Sequence, residues 1–309
     1  MVPFSTAVLL VLILGLSGCS QPEAHELWPA ELTRFRPEPA NPVFTAGPQG
    51  GWDPNIRERG WILKEGDVFK LWYTGYNETL DRPEELSLRR IGYATSPDGI
   101  RWERHPDNPL IEDVWVEDLS ILKHEGTYYM FAEMEHGGHW FTSPDGLDWE
   151  RQGLFDIHDA NGEAIDGRAG STPHVLIVDG VWYFYFQNTG GVWAASSADG
   201  PEQWTLLKDG PVIEPGPQRY DSRKIASDQV LKYKGRWYMY YHGAGKDEEA
   251  HPWSTHLAAS DDGIHWTKYP GNPIVHDKSS AFVVDDGDGL RLYTVHALVD
   301  LFWPDTRTE

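Results

Sequence analysis

Residues 35–44 of this chain read FRPEPANPVF, and the tetrapeptide NPVF that ends this stretch returns three times in related form. The later copies are NPLI (108–111), GPVI (210–213) and NPIV (272–275). A Trp stands six residues before each later copy, at Trp102, Trp204 and Trp266, and Phe35 holds the same place before the first. Self-similarity along a chain is the mark of a repeat architecture, and the repeat decides the fold.

Two further phrases recur between these copies. One is an Asp-Gly turn, written SPDGIRW (96–102), SPDGLDW (143–149), SADGPEQW (197–204) and SDDGIHW (260–266). The other precedes it and is aromatic, written LKEGDVFKLWYTG (63–75), LKHEGTYYMFAE (122–133), LIVDGVWYFYFQ (176–187) and LKYKGRWYMYYHG (231–243). Gly accepts the positive φ of tight hairpin turns, and aromatic and β-branched residues favour strands. Each unit therefore predicts four antiparallel strands, A to D.

A fifth unit begins at SSAFVVDDGDGLRLYTVH (279–296), and no NPxI phrase follows it. Residues 35–44 supply the missing strand D, which would pair with the last unit and close a ring. Four-stranded units around an axis form a β-propeller, an architecture that leaves few exposed edges. We therefore predict an all-β, five-bladed β-propeller, a single domain over residues 35–309, whose N-terminal strand closes the last blade. The alternative, an open sandwich of hairpins, gives the split repeat no purpose.

The composition supports a large packed domain and excludes one class of partner. Hydrophobic residues make up 40% of the 309 residues, enough to bury a sizeable core. The formal net charge of −22 repels phosphate backbones, so we expect no nucleic-acid partner. We expect a monomer.

The N-terminal segment resembles a bacterial lipoprotein signal. Residues 7–16, AVLLVLILGL, are too short to span a bilayer, and the small residues that follow lead to Cys19, the only cysteine. We predict a signal peptide at 1–18, lipidation at Cys19, a linker at 19–34, and export to the cell envelope, periplasmic or on the outer-membrane surface, with membrane contact only through the lipid. The n-region has no Lys or Arg, which keeps open an ordinary signal peptide or a misassigned start.

In such a ring strand A lines the central channel, and the start of A shares one rim with the end of the antiparallel strand B. The polar residues at the A entrances are Glu58, Arg59, Glu117, Asp118, Ser171, Thr172, His174, Ser227 and Asp228, and those at the B exits are Thr74, Glu133, Gln187 and His242. Charged groups in a narrow channel are costly unless they are paired or used. Polar residues that do not repeat between units are therefore the better candidates for function.

One carboxylate does repeat. The stretches WDPNIRERGWILK (52–64) and YDSRKIASDQVLK (220–232) align without a gap, so Asp53 matches Asp221, and Asp166 falls in the same register. These residues are either catalytic or the capping groups of a loop whose geometry repeats. The same alignment makes Arg168 and Arg223 equivalent.

The repeat resembles the five-bladed β-propeller glycosidases, the superfamily of glycoside hydrolase families 32, 43, 68, 117 and 130, from about residue 28 onward. Asp118 stands where family 43 has its blade 2 Asp. In blade 3 the sequence Ser171-Thr172-Pro173-His174 replaces the usual Glu-Gly-Pro. In blade 1, Asp53-Pro54-Asn55 resembles the Asp-Pro-Asn of family 32 but lies about five residues early, and Glu58 is nearer the expected register.

The resemblance implies an exported glycoside hydrolase that cleaves an oligosaccharide or polysaccharide by carboxylate acid/base catalysis. We predict Asp53 or Asp118 as base or nucleophile and Asp228 as general acid, with Glu133 and His242 as alternative acids. The predicted substrate-binding residues are Trp52, Glu117, Glu133, Arg168, His174, Arg223 and His242.

Two alternatives stay open for the function. Arg168, Arg223 and Lys224 could hold phosphate, which would make the enzyme a glycoside phosphorylase. A carbohydrate-binding lipoprotein that lacks the general acid is the other alternative. No metal site is predicted, because His242, His251 and His256 are loosely spaced for zinc. No cofactor is expected, although the converging acidic side chains are compatible with a structural Ca²⁺.

Overall fold

Five sheets follow one another in the order of the repeats, and each contains the four strands that the repeated phrases predict. Blades 1 and 3 each carry a short fifth strand. The computed structural model describes residues 27–78, 88–111, 114–165 and 170–306. Over this part of the chain the fold is nearly all β, with one short α-helix, and the sheets are the blades of a five-bladed β-propeller. The predicted signal peptide at 1–18, Cys19 and Arg168 lie outside the described residues.

The strands are numbered in chain order. Blade 1 holds β2 (Asn55–Ile56), β3 (Trp61–Glu65), β4 (Val68–Tyr76), β5 (Arg90–Ser96) and β6 (Glu103–Arg104). Blade 2 holds β7 (Val116–His124), β8 (Thr127–Met134), β9 (Gly137–Ser143) and β10 (Glu150–Leu154). Blade 3 holds β11 (Ile157–His158), β12 (Ser171–Val178), β13 (Val181–Asn188), β14 (Gly191–Ser197) and β15 (Trp204–Leu206). Blade 4 holds a 3₁₀ turn (Arg219–Asp221), β16 (Lys224–Tyr233), β17 (Arg236–Ala244), β18 (Ser254–Ser260) and β19 (Trp266–Lys268). Blade 5 holds β20 (Ala281–Asp285), β21 (Leu290–His296), β22 (Leu298–Pro304) and the N-terminal β1 (Phe35–Pro37). Helix α1 (Ala30–Thr33) precedes β1.

The ring closes as predicted. The innermost strands contact one another in a circle, since β20 touches both β16 and β3. Strand β1 pairs antiparallel with β22, and Phe44 forms a further bridge with Val299. The part of the predicted linker that is described, residues 27–34, packs on blade 4: Leu32 is buried and its carbonyl accepts a hydrogen bond from the Tyr240 hydroxyl at 3.0 Å.

The NPxx phrases recur because their Asn side chains form two hydrogen bonds to the backbone of strand C. The Asn41 amide donates to the Leu301 carbonyl and accepts from the Leu301 N–H, both at 2.8 Å. Asn108 does the same to Tyr93, and Asn272 to Leu257. An amide side chain carries both a donor and an acceptor, so one residue can replace an entire ladder pair. Gly210 of blade 3 has no side chain for this.

The aromatic phrases and the Asp-Gly turns recur together because they join neighbouring blades. The Trp72 indole N–H of blade 1 donates to the Gly146 carbonyl in the blade 2 turn at 2.7 Å. The Tyr185 hydroxyl makes the same link from blade 3 to the Gly263 carbonyl of blade 4 at 3.0 Å. The Tyr293 hydroxyl of blade 5 donates to the blade 1 turn at 3.2 Å and so continues the pattern across the closure.

The described residues contain no helix that is both long and apolar enough to cross a membrane.

Candidate functional site

The inner strands of blades 1 to 3 share a strained entry point. Arg59, Asp118 and Thr172 each stand two residues before the pair from which the inner hairpin continues without a break. All three have positive φ, at 61°, 56° and 47°. This region is unfavourable for residues other than Gly, most of all for β-branched Thr. Strained backbone of this kind clusters at functional sites, where the surrounding structure has to enforce it.

The predicted rim exists. Glu117 at the start of β7 lies opposite Glu133 at the end of β8, and Ser171 lies opposite Gln187 in blade 3. In blade 4, Ala226 lies opposite His242, directly beside the irregularity at Asp228. The entrances of strand A and the exits of strand B therefore meet at one end of the channel.

Asp118 is the most unusual group at this rim. Its carboxyl is buried, and Oδ1 has no hydrogen-bond partner among the described residues. Burial raises the pKa of Asp118 well above its ordinary value; Glu117, Glu133 and Glu58 raise it further, and the charge of Arg59 opposes them. Asp118 is thus a carboxyl that favours its protonated form, as a general acid does.

Asp228 is in the opposite situation, because its carboxylate accepts from several donors. The Ala281 N–H donates to Oδ2 at 3.1 Å, and the His242 Nδ1 lies 2.6 Å from Oδ1. The Arg59 Nη1 lies 3.4 Å from the same Oδ1. A proton-donor role for Asp228 would require these contacts to be lost. Asp228 instead fixes the His242 imidazole with its proton on Nδ1, which leaves Nε2 for other partners.

Glu117 is held by cations. Its Oε2 accepts from the Arg57 Nε at 2.9 Å and lies 3.3 Å from the Arg89 Nε. Burial raises the pKa of Glu117, Arg57 opposes this, and Glu133 adds to it. Arg57 also pairs with Glu58 at 3.0 Å, so carboxylates and guanidinium groups alternate around this side of the rim.

Asp53 is held by protein contacts that favour a structural role, and a catalytic role for it stays a prediction. The Tyr73 hydroxyl donates to its Oδ2 at 2.8 Å, and the Arg104 Nε donates at 3.0 Å. The equivalent Asp221 accepts from the Tyr241 hydroxyl at 3.0 Å and the Lys268 Nζ at 2.6 Å. In both blades the carboxylate joins a strand B Tyr to a strand D cation, which is why it repeats.

Two predicted substrate-binding residues are occupied by protein contacts. The His174 Nε2 donates to the Val230 carbonyl at 2.9 Å, and Nδ1 faces the Ser120 hydroxyl at 3.3 Å. Burial lowers the pKa of His174 to about 3, so the ring is neutral. Trp52 stacks on Tyr73 with ring centroids 5.7 Å apart, so it belongs with Asp53 rather than with the rim.

Trp253 extends the rim and was missed by the sequence analysis. Its ring meets the His242 imidazole edge-on at 5.2 Å, and the Arg223 guanidinium lies 5.4 Å from its centroid. Arg223 itself pairs with Glu248 at 2.8 Å. The structure therefore brings Arg223, predicted to bind substrate, near His242. Trp253 could have been found as an unrepeated Trp next to strand C.

Arg57, Arg59 and Arg89 were also not proposed as site residues. Arg59 was placed at an A entrance, and its charge could have been matched with the acidic residues there. No group of three or more His, Cys, Asp and Glu side chains among the described residues is arranged to hold a metal ion. The expectations of no cofactor and of a structural Ca²⁺ stay predictions.

The comparisons with known proteins agree with this architecture. No protein-family model matches the chain. An uncharacterised protein of Mycobacterium tuberculosis is 29% identical over 226 residues, which cover 67% of this chain and 73% of that protein. A β-1,2-mannobiose phosphorylase of Thermoanaerobacter is 25% identical over 218 residues, 65% of this chain and 70% of the enzyme.

The fold is shared with solved structures over almost its whole length. A glycosyl hydrolase from Bacteroides ovatus superposes with a TM-score of 0.69 at 17% identity, and the match covers 89% of this chain and 94% of that one. The chain therefore shares with this structure the fold of a five-bladed β-propeller.

Proposed function

We propose that this protein cleaves glycosidic bonds and that Asp118 is the proton donor to the leaving oxygen. The observation that carries the proposal is the buried Asp118 carboxyl at the channel rim, with a raised pKa and an unpartnered Oδ1. A general acid needs a pKa near the working pH, and burial among carboxylates is the usual way to obtain one. This assignment exchanges the predicted roles, since the sequence favoured Asp228 as the acid.

Asp228 and His242 supply the complementary function. A carboxylate that holds Nδ1–H of an imidazole orients Nε2 to take a proton from an attacking group. The 2.6 Å contact between Asp228 and His242 has this form. Glycoside cleavage needs one group to protonate the leaving oxygen and a second to activate the nucleophile, and Asp118 and His242 fit these parts.

The relatives suggest the substrate class to test first. The curated relatives with a named activity are a β-1,2-mannobiose phosphorylase and a 1,2-β-oligomannan phosphorylase. We propose a β-linked mannoside as substrate, with Trp253 as a flat surface for a sugar ring beside His242.

Hydrolysis leads over phosphorolysis because four arginines in the described part of the rim already pair with carboxylates. Arg57 and Arg89 contact Glu117, Arg59 contacts Asp228, and Arg223 contacts Glu248. A phosphate dianion would have to displace these carboxylates. Phosphorolysis is the second candidate, because both curated relatives named above are phosphorylases.

Export and lipid anchoring through Cys19 also stay proposals, supported by the apolar segment at 7–16 and the small residues before Cys19. Mass spectrometry of the N-terminal peptide after expression in a bacterium tests them. An acylated Cys19 is expected, and a mature N-terminus elsewhere would contradict the anchor.

The activity test is a panel of β-mannosides and other oligosaccharides, incubated with and without inorganic phosphate and analysed by anion-exchange chromatography. Free mannose without phosphate indicates a hydrolase, and mannose 1-phosphate only with phosphate indicates a phosphorylase. Binding of a glycan with no product from any substrate would contradict the proposal and favour a binding protein.

A further inference from the structure

Arg59 contacts every blade of the propeller. It belongs to blade 1, its N–H donates to the Val295 carbonyl of blade 5 at 3.1 Å, and its carbonyl accepts from the Leu119 N–H of blade 2 at 2.9 Å. The Nη2 donates to the Pro173 carbonyl of blade 3 at 2.9 Å, and Nη1 donates to the Ser227 carbonyl of blade 4. One side chain and its peptide groups thus connect all five blades.

The same guanidinium links the two acids of the candidate site. Nη1 lies 3.4 Å from Asp228 Oδ1, the atom that also contacts the His242 Nδ1. The positive charge of Arg59 also acts on Asp118. Both side chains of the Arg59–Asp228 pair are only 2% exposed, so solvent screens these interactions little.

The backbone of Arg59 is held where an unsupported residue would not stay. Its φ of 61° is unfavourable for a residue with a Cβ, and the hydrogen bonds to Val295 and Leu119 enforce it. This conformation places the guanidinium in the channel. Nε of Arg59 has no partner among the described residues, so its two terminal nitrogens, Nη1 and Nη2, alone make the contacts to blades 3 and 4.

Resting on the proposed function, we infer that Arg59 is a positioning residue for the glycoside chemistry. It fixes Asp228, and through Asp228 the imidazole of His242, relative to Asp118. A planar fork can reach the Pro173 and Ser227 carbonyls together, whereas the single ammonium of Lys cannot reproduce both contacts in the same geometry. The role therefore needs Arg and not merely a positive charge.

The experiment compares Arg59→Gln and Arg59→Lys with the control Arg104→Gln. The control removes the guanidinium of another Arg–Asp pair in blade 1, in which Arg104 Nε lies 3.0 Å from Asp53 Oδ2. Thermal unfolding first establishes the folded fraction of each variant. For folded Arg59→Gln we expect kcat to fall about 10²-fold with KM changed less than about threefold, the usual effect of misplaced catalytic groups. Arg59→Lys should recover little of this, and Arg104→Gln should keep the wild-type kcat.

A second measurement needs no substrate. The Asp118 carboxyl is titrated by ¹³C NMR in wild type, both Arg59 variants and Arg104→Gln. Removing the Arg59 charge should raise the pKa of Asp118, because that charge lowers it in the wild type, while Arg104→Gln should leave it unchanged. Arg59→Lys keeps the positive charge, so its Asp118 titration should stay close to that of the wild type. If Arg59→Gln does not fold, Arg59→Lys carries the kcat measurement.

The two measurements separate the inference from the proposed function. A wild-type protein without glycosidase activity overturns the proposed chemistry, and the titration of Asp118 then decides alone whether Arg59 controls the acid cluster. Unchanged kcat per folded molecule in the Arg59 variants together with an unmoved Asp118 titration in Arg59→Gln would overturn the inference. Where Arg59→Gln does not fold, an unchanged kcat of Arg59→Lys would overturn it.

Discussion

At the scale of single residues, the site combines two carboxyl groups that the fold places in different environments. Asp118 is buried beside Glu117 and Glu133 and favours its neutral form, whereas Asp228 accepts three donors. A carboxyl whose pKa is raised by burial is suited to the role of general acid. The rate of glycoside cleavage should therefore fall as pH rises through the raised pKa of Asp118, where the acid loses its proton.

Asp118→Asn should make the protein more stable at neutral pH while it abolishes cleavage. Since the pKa of Asp118 is higher in the folded state than its ordinary value of 3.8, the carboxyl favours folding when protonated and loses that contribution as pH rises. A gain of about 1 kcal/mol at pH 7 would raise Tm by about 2–4 °C. Calorimetry at pH 7 and pH 4 tests this, with exposed Glu125→Gln as control. A Tm lowered equally at both pH values would contradict the burial argument.

Asp53→Asn should destabilise the fold without changing the activity of folded molecules. The substitution leaves Arg104 without its carboxylate; we expect a loss of about 2 kcal/mol, less than for a fully buried pair because 33% of the Arg104 side chain is exposed. Urea unfolding measures the loss, and kcat per folded molecule measures the role. A fully folded Asp53→Asn protein without activity would return Asp53 to the catalytic machinery.

Residue roles could be predicted only in part. The unrepeated polar residues Asp118, Asp228 and His242 lie at the strand A entrances and strand B exits of their blades because their register follows from the repeat. Their proton affinities could not be predicted, since these depend on burial and on neighbours from other blades. His174 illustrates the difficulty, because its partners Ser120 and Val230 belong to blades 2 and 4.

At the scale of elements, the hydrogen bonds within the Ser-x-Asp-Gly turn explain why this sequence recurs along the chain. In blade 1 the Asp98 Oδ1 accepts from the N–H groups of Ile100 and Arg101 at 2.9 Å, and the Ser96 hydroxyl accepts from the Gly99 N–H at 2.8 Å. Gly99 has φ of 73°, so a side chain there would be strained. Asp145 and Asp262 repeat the arrangement in blades 2 and 4.

The blade 3 turn offers a matched comparison. It carries one extra residue, and among the described residues Asp199 accepts no side-chain hydrogen bond of this kind; only its N–H donates to the Ser197 hydroxyl at 3.4 Å. Asp98→Ala should therefore cost about 1–2 kcal/mol, as the loss of a capping carboxylate does, and Asp199→Ala less than about 0.5 kcal/mol. Urea unfolding of the two variants is the measurement. Equal losses would show that the turn hydrogen bonds add nothing.

Strands with a repeated phrase could be predicted, and elements without one could not. The hairpins and turns follow from aromatic runs and Asp-Gly signals, whereas α1, β2 and β11 carry no such pattern. Strand β11 exists only as a two-residue parallel pairing with β15, and α1 is a single turn stabilised by Leu32 packing on blade 4. Their conformations come from tertiary neighbours rather than local propensity.

At the scale of the whole molecule, ring closure places the site. The split blade brings the first described strand to the last, and the five inner strands then form one circle around the channel. The fold was predictable because the incomplete fifth repeat and the isolated stretch at 35–44 complete each other. The hydrogen bonds of Arg59 to the Pro173 and Ser227 carbonyls depend on that circle, and no local sequence pattern predicts them.

Asn41→Ala and Asn108→Ala compare the closing blade with an ordinary one. Both variants leave the N–H of a strand C residue, Leu301 or Tyr93, without its partner, while the carbonyl of that residue keeps a backbone donor. We expect similar losses of about 1–3 kcal/mol in the free energy of unfolding. If Asn41→Ala left the free energy of unfolding unchanged while Asn108→Ala lowered it, the N-terminal strand would be dispensable for stability.

The central claim is that Asp118 donates the proton in glycoside cleavage at the channel rim, and the most direct measurement is product release from a β-mannoside by the wild type and by folded Asp118→Asn. The wild type should release product, and the variant should lose at least about 10²-fold in kcat, the usual contribution of a general acid. Product formed at the wild-type rate by Asp118→Asn would contradict the account.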